Sequence, residues 1–115
     1  MKTINAAAVA SYKSGTGDMK LLLTEQSVGA KHGTMGHGRL ETGATIPLEG
    51  DVSVHPVEEF DYILSGRIAI WVEGEERVLG PGESIYVNAG QRHVFRNTEP
   101  EPAEFIWFLS PGMEL

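Results

Sequence analysis

Cysteine is absent from this chain of 115 residues, which excludes disulfides and thiolate-bound metal sites alike. Any ion it holds must rest on nitrogen and oxygen donors. Basic charge is also scarce: nine Lys and Arg oppose sixteen Asp and Glu, a formal net charge of −7. Those nine, from Lys2 to Arg96, are scattered along the chain. The clustered cations that grip a phosphate backbone are missing, so nucleic acid is not an expected partner. Long apolar runs are missing too. AAAVA and FIWFL fall far short of the roughly 18 to 20 residues that span a bilayer, so no membrane partner is expected. Lys2 and one short apolar run are too little for a secretory leader, and the expected location is the cytoplasm. The Gly-rich stretch KHGTMGHGRLETG lacks the Gly-Lys-Ser/Thr of a phosphate loop, and no Gly-x-Ser-x-Gly elbow occurs.

What is present is punctuation. Fourteen glycines and six prolines divide the chain into brief segments rich in β-formers: MKLLLTE, MGHGRLE, ATIPL, FDYIL, RIAIWV, ERVL, SIYV, HVFRN and EFIWFL. Many short strands without an amphipathic helix predict one all-β domain, a sandwich or antiparallel barrel. In RIAIWV, Ile68, Ile70 and Val72 share one face, the alternation of a strand covering a core. Ser65-Gly66 reads as a tight hairpin turn between FDYIL and RIAIWV, and Gly74 as the turn before ERVL. Residues 1–18 lack periodicity and read as an N-terminal arm or edge strand.

Three side chains carry the chemistry: His55, Glu59 and His93. The even separation of His55 and Glu59 places both on one face of a strand, and His93 can close the same pocket from a neighbouring one. Two imidazoles and a carboxylate form a three-point face that leaves coordination positions open, as in non-haem iron oxygenases.

The residues around them resemble the cupin superfamily, small β-barrels of jelly-roll type. Its first motif is matched by His55, three residues, Glu59, six residues and Gly66, and its second by Gly82, Gly90, His93 and Asn97. Ser53 stands where the family has its first histidine, Pro47 where it has a glycine, and Asn88 where it has a proline. The resemblance implies a cupin-like barrel over residues 19–115 and a divalent ion on His55, Glu59 and His93. Iron or manganese suits this donor set best, with nickel or zinc also compatible. In the same reading those three residues are the catalytic ones, and Ser53, His37, Met35, Asp61, Ile63 and Phe95 are candidate pocket residues; strand alternation puts Asp61 and Ile63 on the Glu59 face and Phe95 on the His93 face. Met35, His37 and Arg39 would share one strand face. Glu49 and Asp51 read as solvated loop charges. The activity implied is that of a metal-dependent enzyme on a small organic molecule, dioxygenation first, then decarboxylation (lyase chemistry) or isomerisation. The alternative is a metal-free module that binds a sugar or organic acid. A homodimer is expected by analogy.

Overall fold

A computed structural model describes residues 1–12, 17–47 and 50–113; Glu49 lies outside them. In chain order the strands are β1 (Gly17–Leu23), β2 (Thr34–Leu40), β3 (Thr45–Ile46), β4 (Glu58–Ser65), β5 (Ile68–Val72), β6 (Glu75–Leu79), β7 (Ser84–Val87), β8 (His93–Arg96) and β9 (Ala103–Ser110). Each of the β-prone segments of the sequence supplies one of them. Among the described residues, helix is confined to a 3-10 turn at Ala6–Ala8 and one α-helical turn, α1, at Glu25–Val28. No helix there is long and apolar enough to cross a membrane.

The strands pair antiparallel in two sheets, one ordered β1-β2-β9-β4-β7 and the other β3-β8-β5-β6. Their inner faces enclose a core that includes Met19, Leu40, Ile63, Ile68, Ile70, Phe95, Phe105, Trp107 and Leu109. The rings of Phe95 and Phe105, one from each sheet, meet at 5.5 Å between centroids and lock the sheets together. Each fully buried Phe contributes roughly 1.5–3 kcal/mol by leaving water.

Two local expectations are corrected by this topology. β4 pairs with β7 and β9, whereas β5 pairs with β6 and β8, so Ser65-Gly66 is a corner between sheets and not a hairpin. Gly66 is needed there twice over: its φ is +73°, and a Cβ would lie 2.5 Å from the Pro102 carbonyl oxygen. The second correction concerns β2. Its inner face is Thr34, Gly36, Gly38 and Leu40, all buried, and Met35, His37 and Arg39 share the outer face. The inner glycines make room for rings from β9: a Cβ on Gly36 would stand 2.0 Å from Trp107, and one on Gly38 2.4 Å from Phe105.

Candidate functional site

Glu59, Asp61 and Ile63 alternate inward along β4, while His93 and Phe95 do so along β8 in the opposite sheet. His55 is not on a strand, since β4 begins only at Glu58. The loop carrying it is instead pinned to the start of β8 and the turn before it. Ser53 and His93 exchange two backbone hydrogen bonds of 2.9 Å, and Gly90 donates to the His55 carbonyl at 2.8 Å. The two motif segments are thereby sewn edge to edge, which brings both imidazoles over Glu59.

The donors converge. Glu59 Oε1 lies 3.4 Å from His55 Nε2 and 3.3 Å from His93 Nε2, and one ligand atom from each residue lies within 4.8 Å of the others. Donors around one ion at ~2.1 Å stand roughly 3 to 4 Å apart, so the set fits a single divalent ion. A second observation supports the fit. His93 Nδ1 lies 3.0 Å from the Gln91 carbonyl oxygen. That carbonyl can only accept, so Nδ1 carries a proton in either charge state; the second proton, on Nε2, is the one that faces Glu59 and that an ion would displace to use the Nε2 lone pair.

The charges follow from burial and contact. Burial opposes the His93 imidazolium, but the hydrogen bond and charge of Glu59 outweigh it and hold its pKa above the ordinary histidine value. Burial likewise opposes the Glu59 carboxylate, yet hydrogen bonds from His93 and Asp61 and the two imidazole charges keep its pKa below the usual value. Asp61 goes the other way. Burial first, then the adjacent Glu59 charge, pushes it well above the carboxylate range. No donor among the described residues reaches either Asp61 oxygen. A protonated Asp61 resolves this, because it becomes the donor to Glu59 and orients that carboxylate.

The triad sits in the wall of a cavity of about 80 Å³. Buried Met19, Phe95, Phe105, Trp107 and Leu109 line its depth, and half-buried Tyr12, Ile46, Pro47, Ser53 and His55 line its rim. Of the pocket residues expected from sequence, Ser53 and Phe95 are there. Asp61 and Ile63 lie on the same strand face but outside the lining. His37 and Met35 are corrected: both point out of the barrel, and His37 Nε2 meets Glu104 Oε1 at 3.1 Å. Reading the sequence missed Tyr12, Met19, Ile46, Pro47, Phe105, Trp107 and Leu109 as lining residues. The alternation Phe105, Trp107, Leu109 in EFIWFL was a usable signal for the wall. Tyr12 had none, since its place depends on a distant hydrogen bond from its N–H to the Met19 carbonyl, 2.8 Å. Burial and then the Glu59 charge push its phenol up to about 12, so it stays neutral.

Comparison with known proteins agrees with this architecture. The chain is 32% identical over 111 residues to the tetracenomycin polyketide synthase protein TcmJ of Streptomyces glaucescens, covering 96% of this chain and 71% of that protein. A predicted oxalate decarboxylase of Thermotoga maritima superposes with a TM-score of 0.81 at 17% identity, covering 96% of this chain and 99% of that one. The polyketide cyclase RemF of Streptomyces resistomycificus gives 0.79 at 19% identity, covering 96% of this chain and 79% of that one. The model of the cupin domain matches residues 36–109, which contain both motif segments and all three convergent donors; the chain belongs to the cupin family.

Proposed function

We propose that this protein is a metal-dependent enzyme acting on an enolisable 1,3-dicarbonyl compound of polyketide type, with ring closure as its reaction. The observation that carries the reading is the convergence of His55, Glu59 and His93 at one polar patch in an otherwise apolar cavity. The polyketide class is supported by the relatives named above. Dioxygenation, expected first from the sequence resemblance, would use the same three donors, and the character of those relatives favours ring closure over it. An intramolecular aldol condensation transfers a proton from the α-carbon, joins that carbon to a second carbonyl and expels water. It consumes no oxidant or reductant.

His55, Glu59 and His93 would hold a divalent ion, and such an ion would supply Lewis-acid polarisation of a substrate carbonyl. The rest falls to the chain. Phe95, Phe105, Trp107 and Leu109 exclude water and hold a flat ligand by its faces. Gln91 orients the His93 ring, and Asp61 holds a proton toward Glu59. A second reading, a metal-free binding module for a sugar or organic acid, is favoured by two features. Glu59 and His93 already satisfy each other at 3.3 Å, and Ser53 occupies the position of a further ligand.

Elemental analysis of untagged protein, followed by titration with zinc and with manganese, separates the two. About one equivalent of ion, lost in His55→Ala and His93→Ala, supports the enzyme. Protein that takes up no ion under any condition removes it in favour of the binding module. Oxygen uptake during turnover would replace ring closure with dioxygenation.

A further inference from the structure

The cavity at the triad measures about 80 Å³. Sites that engulf a drug-sized ligand run to roughly 300–1,000 Å³. The cavity is therefore too small for a fused-ring substrate, and the rim decides what enters. One rim side chain, Tyr12, comes from outside the barrel strands and outside the family match, which starts at residue 36. Hydrogen bonds to the barrel hold it in place. Tyr12 N–H donates to the Met19 carbonyl at 2.8 Å, so the arm runs back along β1, whose Met19 lines the same cavity. Lys20 Nζ donates to the Ala6 carbonyl at 2.8 Å, and Lys2 Nζ to the Val28 carbonyl at 2.8 Å. Between these clamps the Ala6–Ala8 turn is capped by Asn5, whose side chain accepts from Ala7 N–H at 2.9 Å. The Tyr12 ring packs against the core cluster.

We propose that Tyr12 sets the size limit of this site, its ring capping the rim so that only an acyclic or single-ring dicarbonyl portion of a ligand reaches His55, Glu59 and His93. The proposal rests on reading the cavity as a dicarbonyl site and deepens it: the protein would work on the reactive end of its substrate, not on an already fused ring system. Removing the ring opens the rim. Removing only the hydroxyl leaves the cap in place.

The test is calorimetric binding of two probes to the full chain loaded with zinc: acetylacetone, which is acyclic, and 2-acetyl-1-naphthol, which is bicyclic. Wild type is expected to prefer acetylacetone. Tyr12→Ala should shift the ratio of affinities about tenfold towards the naphthol, in line with the discrimination a pocket wall provides. Tyr12→Phe should keep the wild-type ratio. Should Tyr12→Ala fail to fold, Tyr12→Leu removes the ring while keeping apolar packing and carries the same expectation. A ratio in the folded variant that stays within about threefold of wild type overturns the role of Tyr12 and leaves the dicarbonyl site standing. Wild type that binds neither probe overturns the dicarbonyl reading itself, and the proposal with it. Zinc content measured alongside should be unchanged in every variant, because Tyr12 is not a ligand.

Discussion

Strand β4 presents two faces that reverse the usual placement of side chains. Glu59 and Asp61 point inward at 7% and 3% exposure, whereas Phe60, Tyr62 and Leu64 point outward at 41%, 47% and 43%. Fold stability alone would favour the opposite arrangement, since an uncompensated buried carboxylate is expensive and an exposed aromatic forgoes burial. The inner face can therefore be read as maintained for chemistry. The outer face continues through Phe108 and Tyr86, which flank Phe60 at ring centroid distances of 6.0 and 5.2 Å. A contiguous apolar patch of this kind marks a surface meant to be covered.

The largest effects should come from breaking the inner face. In chelator-treated protein, His93→Leu strands Glu59 without its closest cation, and loss of one partner of a buried pair costs about 3–5 kcal/mol. Replacing both, Glu59→Leu with His93→Leu, is expected to recover most of that stability while abolishing ion binding. Chemical denaturation of the three proteins checks it. A single variant as stable as wild type would show that the pair does not hold charge.

pH gives the next test, with two opposing signs. His93 has a raised folded pKa, so its contribution is complete below 6.5 and is lost as pH rises through the folded value. Glu59 has a lowered one, so its contribution is present above 4.5 and is lost as pH falls through the folded value. The pair thus supports the ion-free fold most fully between 4.5 and 6.5. Ion loading behaves differently, because protons compete for His93 Nε2. Affinity should fall about tenfold per pH unit once pH drops below the raised His93 value. Ion titrations across that range would expose a pH-independent affinity, which would remove His93 from the ligand set.

Asp61 should give a smaller effect of known direction. Its folded pKa is raised, so it favours the fold only below 3.8 and weighs against it as pH rises from there. Asp61→Asn keeps a donor to Glu59 without that penalty. It should stabilise the ion-free protein at pH 7 by about 1 kcal/mol, or roughly 4–8 °C in Tm, and by nothing near pH 3. An equal or lower Tm at pH 7 would mean that Asp61 is not held protonated.

The same two-faced pattern explains what could be read in advance. Alternation placed Glu59, Asp61 and Ile63 on one face, and motif spacing brought in His55 and His93, because both are properties of neighbouring residues. It also grouped Met35, His37 and Arg39 correctly but assigned them to the wrong side. The side chains of Met35 and His37 read as the ones facing the pocket, when Gly36 and Gly38 are the inner residues that Trp107 and Phe105 lean over. The partner that gives a glycine its meaning lies about seventy residues away, on a strand whose pairing the sequence does not state. Ser65-Gly66 failed for a related reason: turn chemistry reports that the chain bends, not which sheet it enters. Tyr12 stayed invisible because nothing local to residues 1–18 repeats, and its position is made by hydrogen bonds to β1.

The outer face offers the mildest substitutions and the sharpest contrast. Leu64→Ser changes a side chain already 43% exposed, so its cost to the folded chain should stay within about 0.5 kcal/mol, with ion content unchanged. We propose this face, around Phe60, Tyr86 and Phe108, as the seat of the homodimer expected by analogy. Phe60→Arg with Phe108→Arg should then convert a dimer to a monomer in sedimentation while leaving the ion and the Asp61 pH effect intact. Were wild type already monomeric, the patch would need another cover. Were the double variant to lose its ion, the two faces of β4 would be coupled, and the division between chemistry inside and assembly outside would fail.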